Sequence, residues 1–122
     1  MKLLLAMLVF LAFSIALAQT VEPSARALAA LERVHASLEA DGYKLECDAP
    51  KAYALSATTW DANIDAAVIV IDDLGFAIAD TVMLEPELGV AVIDTDPDDP
   101  SAYAFGILEV GAFTLEQCWI TK

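Results

Sequence analysis

The sequence predicts an α+β domain in which one N-terminal amphipathic helix packs on an antiparallel meander sheet of about six strands, stapled by one disulfide. Three observations carry that expectation. Apolar residues recur at helical spacing from Ala25 to Asp41, and from Tyr43 onward they alternate with a period of two. The turn signals beyond Tyr43 are too closely spaced for crossover helices, so neighbouring strands should be antiparallel. Two cysteines, Cys47 and Cys118, occur in a chain whose N-terminus reads as an export signal, and in an oxidising compartment an even pair is most simply one disulfide.

The export signal occupies residues 1–18. Lys2 is a minimal positive region, Leu3 to Ile15 is apolar apart from Ser14, and Ala16-Leu17-Ala18 places small residues where a signal peptidase reads them. Cleavage before Gln19 would leave residues 19–122 as a single exported α+β domain, periplasmic or extracellular. The apolar run is shorter than the roughly 20 residues a membrane span needs, so no membrane association is expected after cleavage. The 122 residues carry six Lys and Arg against nineteen Asp and Glu, a formal net charge of −13. That balance excludes nucleic acid as a partner, because phosphate contacts need clustered cations. It leaves a basic protein as the fitting partner.

Within the domain the helix has a start, a stop and one buried face. Ser24 follows Pro23 as the N-cap. Ala27, Leu28, Leu31, Val34 and Leu38 share a stripe about 120° wide. Gly42 supplies the left-handed residue that ends it, with Tyr43 placed to touch Leu38. Tyr43, Leu45 and Cys47 then read as one face of a strand. Ala49-Pro50 is a break, and strand character resumes from Tyr53 to Trp60. Asp61-Ala62-Asn63 reads as a turn. Ile64 to Ile71, apolar on both faces, reads as a central strand. Further strands are expected over Phe76 to Leu84, Leu88 to Ile93, Ala102 to Val110 and Phe113 to Ile120. One helix cannot cover both faces of such a sheet. The sequence therefore leaves two solutions open: a sheet curled into a barrel, or a homodimer packed through an apolar sheet face.

The chemistry-bearing residues are few. His35 is the only histidine, sits at the edge of the apolar stripe, and has Glu32 and Glu39 at pairing distance along the helix. It reads as a structural, half-buried side chain. Asp94, Asp96 and Asp98 have the spacing of the first three ligands of a calcium loop, and they form the weak metal candidate of the chain. The rest of that motif is absent, since Asp99 stands where glycine is required and Phe105 where the bidentate glutamate belongs. A hairpin tip built from Asp and Pro is the competing account. Trp60, Trp119, Tyr53 and Tyr103 could form a ligand platform, although strand aromatics usually belong to the core.

Cys47 and Cys118 lack the C-x-x-C spacing of a redox pair, and zinc sites usually take four ligands where only one histidine is available. A structural disulfide is the expectation. No nucleotide loop, no G-x-S-x-G and no aspartic-protease triplet occurs. The function expected is a small exported acidic binding or structural domain with no cofactor and no evident catalytic site. The alternatives are an inhibitor or cognate partner of a basic exported protein, and a hydrolase assembled from scattered carboxylates.

Overall fold

The computed structural model describes residues 19–56, 58–75, 81–85 and 90–122. The signal-peptide reading over 1–18, and the first part of the strand expected from Phe76, lie outside those residues.

The helix expected from Ala25 to Asp41 forms as α1 (Ala25–Ala40), but a two-residue strand β1 (Thr20–Val21) precedes it. It is one of two helices among the described residues, where the sequence pattern predicts a single N-terminal helix. Ser24 caps it by accepting from Ala27 N at 3.0 Å, and its hydroxyl donates to Glu109 Oε1 at 2.7 Å. At the other end Gly42 has φ +93°. Its N–H reaches Glu39 O and the Tyr43 N–H reaches Leu38 O, both at 3.0 Å, so the last carbonyls are satisfied by a Schellman turn. The buried stripe is Ala27, Ala30, Leu31 and Val34, with Leu38 half-buried. Leu28, expected in that stripe, is 40% exposed.

Strands β2 (Lys44–Cys47) and β3 (Lys51–Ala54) follow. Both pair antiparallel with the long C-terminal strand β7 (Ala112–Thr121). Cys47 faces Cys118, whereas Lys51 faces Leu115, so one extra residue is inserted across Asp48-Ala49-Pro50. The break at Pro50 is therefore a bulge in one bent strand, placed where proline's missing N–H does least harm. Its consequence is a change of face. Cys47 points to one side of the sheet and Tyr53, also odd-numbered, to the other. Strand β3 ends at Ala54, short of the Trp60 that the sequence pattern indicated.

The largest departure lies next. Ile64 to Ile71, expected as a central strand, is the body of a second helix, α2 (Trp60–Asp73). Thr59 caps it, accepting from Ala62 N at 3.3 Å, and Asp61 lies in its first turn, so the expected turn at 61–63 is a helix start. Asn63, Ala67, Val70 and Ile71 are buried while Val68 and Ile69 are 44% and 58% exposed. Spacing of i, i+4, i+7 and i+8 is a helical face. The β-branched residues lower helix propensity by only tenths of a kcal/mol each, and burying that face outweighs them. Gly75, with φ +79°, closes the C-terminal end.

Strands β4 (Thr81–Glu85), β5 (Val90–Asp94) and β6 (Ala102–Glu109) complete the sheet with β7. The strand path is β1-β3-β7-β6-β5-β4, with β2 paired on β7 beside it, and every pairing is antiparallel. The meander expected from β4 to β7 forms. The connection from β3 to β4 does not obey the short-turn rule, because α2 carries the chain across the sheet from one side of β7 to the far edge.

Two helices on opposite faces answer the problem of the doubly apolar strands. Alpha helix α1 packs on Val90, Phe105, Ile107 and Cys118, and α2 packs on Ile93, Ala104, Phe113 and Leu115. The alternation along each strand sends neighbours to different helices. Among the described residues the strands follow an open path rather than a closed barrel, and each sheet face carries a helix of its own. Gly106 serves the α2 side, where a Cβ would stand 2.9 Å from the Phe113 ring.

Candidate functional site

The polar chemistry of the described residues gathers under α1. On that face β7 presents Thr114, Glu116 and Cys118 in successive inward positions, all at 5% exposure or less. Cys118 is bonded to Cys47, its register partner on β2, and the two Cα atoms are 4.0 Å apart. The expected disulfide is thus present and ties β2 to β7. It fits an oxidising compartment, and among the described residues no helix is long and apolar enough to cross a membrane.

His35 leans from α1 over this row, with 28% of its side chain exposed. Its Nε2 lies 2.5 Å from Glu116 Oε1. Neither Glu32 nor Glu39 is its partner, as the helix spacing had indicated; the partner is 81 residues away in sequence. A carboxylate carried into a helix–sheet interface needs such a partner, because an unpaired buried charge costs several kcal/mol. The same atoms crowd the disulfide. His35 Nε2 is 3.8 Å from Cys47 Sγ, and Glu116 Oε1 is 3.3 Å from Cys118 Sγ. The latter is a contact, since a disulfide sulfur has no proton to donate. Thr114 Oγ1, two residues before Glu116 on the same face, is buried without a hydrogen-bond partner. Among the described residues, His35, Cys47, Glu116 and Cys118 are the group of donor side chains that converges.

Beside this cluster α1 ends above the sheet face. A cleft of about 220 Å³ opens there, walled by Leu38, Tyr43, Val92, Tyr103, Phe105 and Ile120. Phe105 joins the two features, with its ring centroid 6.2 Å from that of His35. At the rim Lys122 Nζ stands 4.8 Å above the Tyr43 ring, a cation–π contact.

The acidic hairpin between β5 and β6 lies at the same end of the sheet, since Asp94 pairs with Tyr103 of the cleft wall. The carboxylates of Asp94, Asp96 and Asp99 accept local bonds. Asp94 Oδ1 accepts from Asp96 N at 3.3 Å, Asp96 Oδ1 from Asp98 N at 2.9 Å, and Asp99 Oδ1 from both Ser101 N and Ser101 Oγ. Those two Ser101 bonds hold the Asp99 carboxyl below the usual aspartate range, the hydroxyl contributing more. Asp94, Asp96 and Asp99 therefore shape successive Asx turns, and the oxygens of Asp94, Asp96 and Asp98 are not part of the converging donor group. Gln117 Nε2 anchors the hairpin base through Thr95 Oγ1 and Tyr103 O, each at 3.0 Å.

The four aromatics expected as platform or core are scattered. Tyr53 is buried on the α2 side, where burial pushes its phenol up. Trp60 and Trp119 are 46% and 37% exposed, and Tyr103 alone lines the cleft. Sequence reasoning missed Glu116 altogether. Its signal was a glutamate between Leu115 and Cys118 at an inward strand position, which buries a charge and demands a partner.

Comparison with family models, curated proteins and solved structures finds no match for this chain.

Proposed function

We propose that the chain is an exported binding domain rather than an enzyme, and that its cleft takes an apolar group presented by a basic protein. The observation that carries this reading is the juxtaposition of two surfaces. An apolar cleft lined by Leu38, Val92, Phe105 and Ile120 opens at the end of the sheet that carries the hairpin with Asp94, Asp96, Asp98 and Asp99, of which Asp96 and Asp98 are exposed. A wall without carboxylates favours binding over hydrolysis, because glycoside or peptide cleavage needs acids at the substrate. Tyr43 and Tyr103 bring hydroxyls to an otherwise apolar wall, the usual composition of a recognition site. The surrounding charge, from a chain at −13 overall, would speed association with a cation and reject acidic partners.

The test uses an amphipathic peptide of alternating Lys and Leu, an acidic counterpart with Glu for Lys, and calorimetric titration at low and high salt. The basic peptide should bind and weaken as salt rises. Val92→Asp should abolish binding by blocking the cleft, and reversal of Asp96, Asp98 and Asp99 to Lys should slow association. Equal binding of both peptides, or indifference to Val92→Asp, would exclude this reading.

A further inference from the structure

We propose that the Cys47–Cys118 disulfide is one state of a switch, and that its reduction turns the cluster under α1 into a zinc site. The donors are His35 Nε2 from α1, Cys47 Sγ from β2, and Glu116 Oε1 and Cys118 Sγ from β7, and all four atoms lie within 4.8 Å of one another. Tetrahedral zinc with bonds of about 2.0–2.3 Å sets its donors roughly 3.3–3.8 Å apart. The S–S and His–Glu separations must therefore open, while the 3.8 Å from His35 to Cys47 and the 3.3 Å from Glu116 to Cys118 already have that size. Two thiolates, a neutral imidazole and a carboxylate are a donor set that suits zinc and disfavours calcium or magnesium.

A structural disulfide does not need this company. Replacing a buried polar pair by apolar side chains of similar volume is often neutral or stabilising. What the pair adds is two ligands held against the two sulfurs. No spacing in the sequence joins His35 to residues 47, 116 and 118; the fold does.

The chemistry balances with an external dithiol as reductant. Its thiolate attacks one sulfur, its second thiol resolves the mixed disulfide, and the products are two cysteine thiols and the oxidised, cyclic dithiol. Zinc then displaces one proton from each thiol, so two protons leave per ion bound. Strand pairing of β2 with β7 runs from Lys44–Thr121 to Cys47–Cys118 and keeps the two thiols adjacent after the bond opens.

The experiment reduces the purified chain with a dithiol, removes the reductant without oxygen, and titrates with Co²⁺ as a visible reporter, then with Zn²⁺. The reduced chain should show the thiolate-to-cobalt charge-transfer band and the d–d bands of a tetrahedral site at one ion per chain, displaced by Zn²⁺ with release of two protons. The oxidised chain should show neither band. His35→Gln and Glu116→Gln, which leave both cysteines in place, should each weaken Co²⁺ affinity by more than about tenfold. Unchanged affinity in both variants means two thiolates alone hold the ion, and overturns the proposal. So does a reduced, folded chain that shows no band. If reduction unfolds the chain, Zn²⁺ should restore its cooperative unfolding transition in circular dichroism, and failure to restore it is equally decisive.

Discussion

Strand β7 presents Phe113 and Leu115 to one helix, and Thr114, Glu116 and Cys118 to the other. The two sides of one sheet thus follow different rules. Under α2 the contacts are apolar and close, with Gly106 making room for the Phe113 ring. Among the described residues there, Asn63 departs from the pattern, donating to Thr59 O at 2.7 Å and accepting from Gly111 N at 3.1 Å, so that it fastens the helix start to the β6–β7 turn. Under α1 a histidine, a glutamate and a disulfide share the interface, and the helix stops short of a cleft. Both faces carry a buried apolar cluster, and the α1 face adds to its own the disulfide and a polar pair whose burial costs stability unless it is matched.

If the division is real, truncation on the α2 side should have the larger cost. Phe113→Ala should lose about 3–5 kcal/mol in urea denaturation, and leave peptide binding at the cleft unchanged in the protein that remains folded. A loss of binding without loss of stability would erase the distinction between the faces.

The disulfide comes next in size. It spans 71 residues, and removing such a bond by Cys47→Ser with Cys118→Ser typically costs about 2–5 kcal/mol. Thiol labelling of the native chain should find no free cysteine. Labelling of both in the purified, unreduced protein would mean that the crosslink does not hold this face together.

How far the sequence reveals each face follows from the range of the interactions that build it. The first helix is legible because its signals are local: Ser24, the 3.6-residue stripe and Gly42 all act within a few residues of the element they set. The disulfide is legible because an even cysteine pair without C-x-x-C spacing has few other roles. Helix α2 is misread because Ala66 to Ile71 is apolar in any register, and only its neighbours on the sheet decide which of those residues are buried. Thr59 as a cap and Gly75 as a stop were present, but the β-branched run outweighed them. The His35–Glu116 pair depends on a contact across 81 residues, and no periodicity reports it.

The polar pair itself gives a sharper comparison. His35→Leu alone leaves the Glu116 carboxylate without its partner in a buried position and should cost roughly 1–3 kcal/mol, less than a fully buried pair because His35 is partly exposed. The double variant His35→Leu with Glu116→Met should recover most of that cost, as replaced buried pairs often do. A double-mutant cycle in denaturant measures the coupling. Full recovery would mean that stability does not explain the pair, which is the premise of a ligand role. A double variant worse than either single would make the pair part of the scaffold.

The smallest expected effect falls on the outer side of α2, where it separates helix from strand most cleanly. Ile69 is 58% exposed while its neighbour Val70 is 4% exposed. In a central strand sandwiched between two layers both would be buried, and a lysine at either position would unfold the domain. On a helix they lie 100° apart, one toward water and one toward Ile93 and Phe113. Ile69→Lys should therefore shift stability by no more than about 0.5 kcal/mol, as exposed substitutions do. Val70→Lys should be severe, because it buries an unpaired ammonium among apolar groups. Equal damage from both would argue that the segment is packed on two sides, and the second face of the sheet would again need a cover. A mild Ile69→Lys, with unchanged mass in sedimentation, would show that the outer side of α2 is not the surface on which a second copy docks.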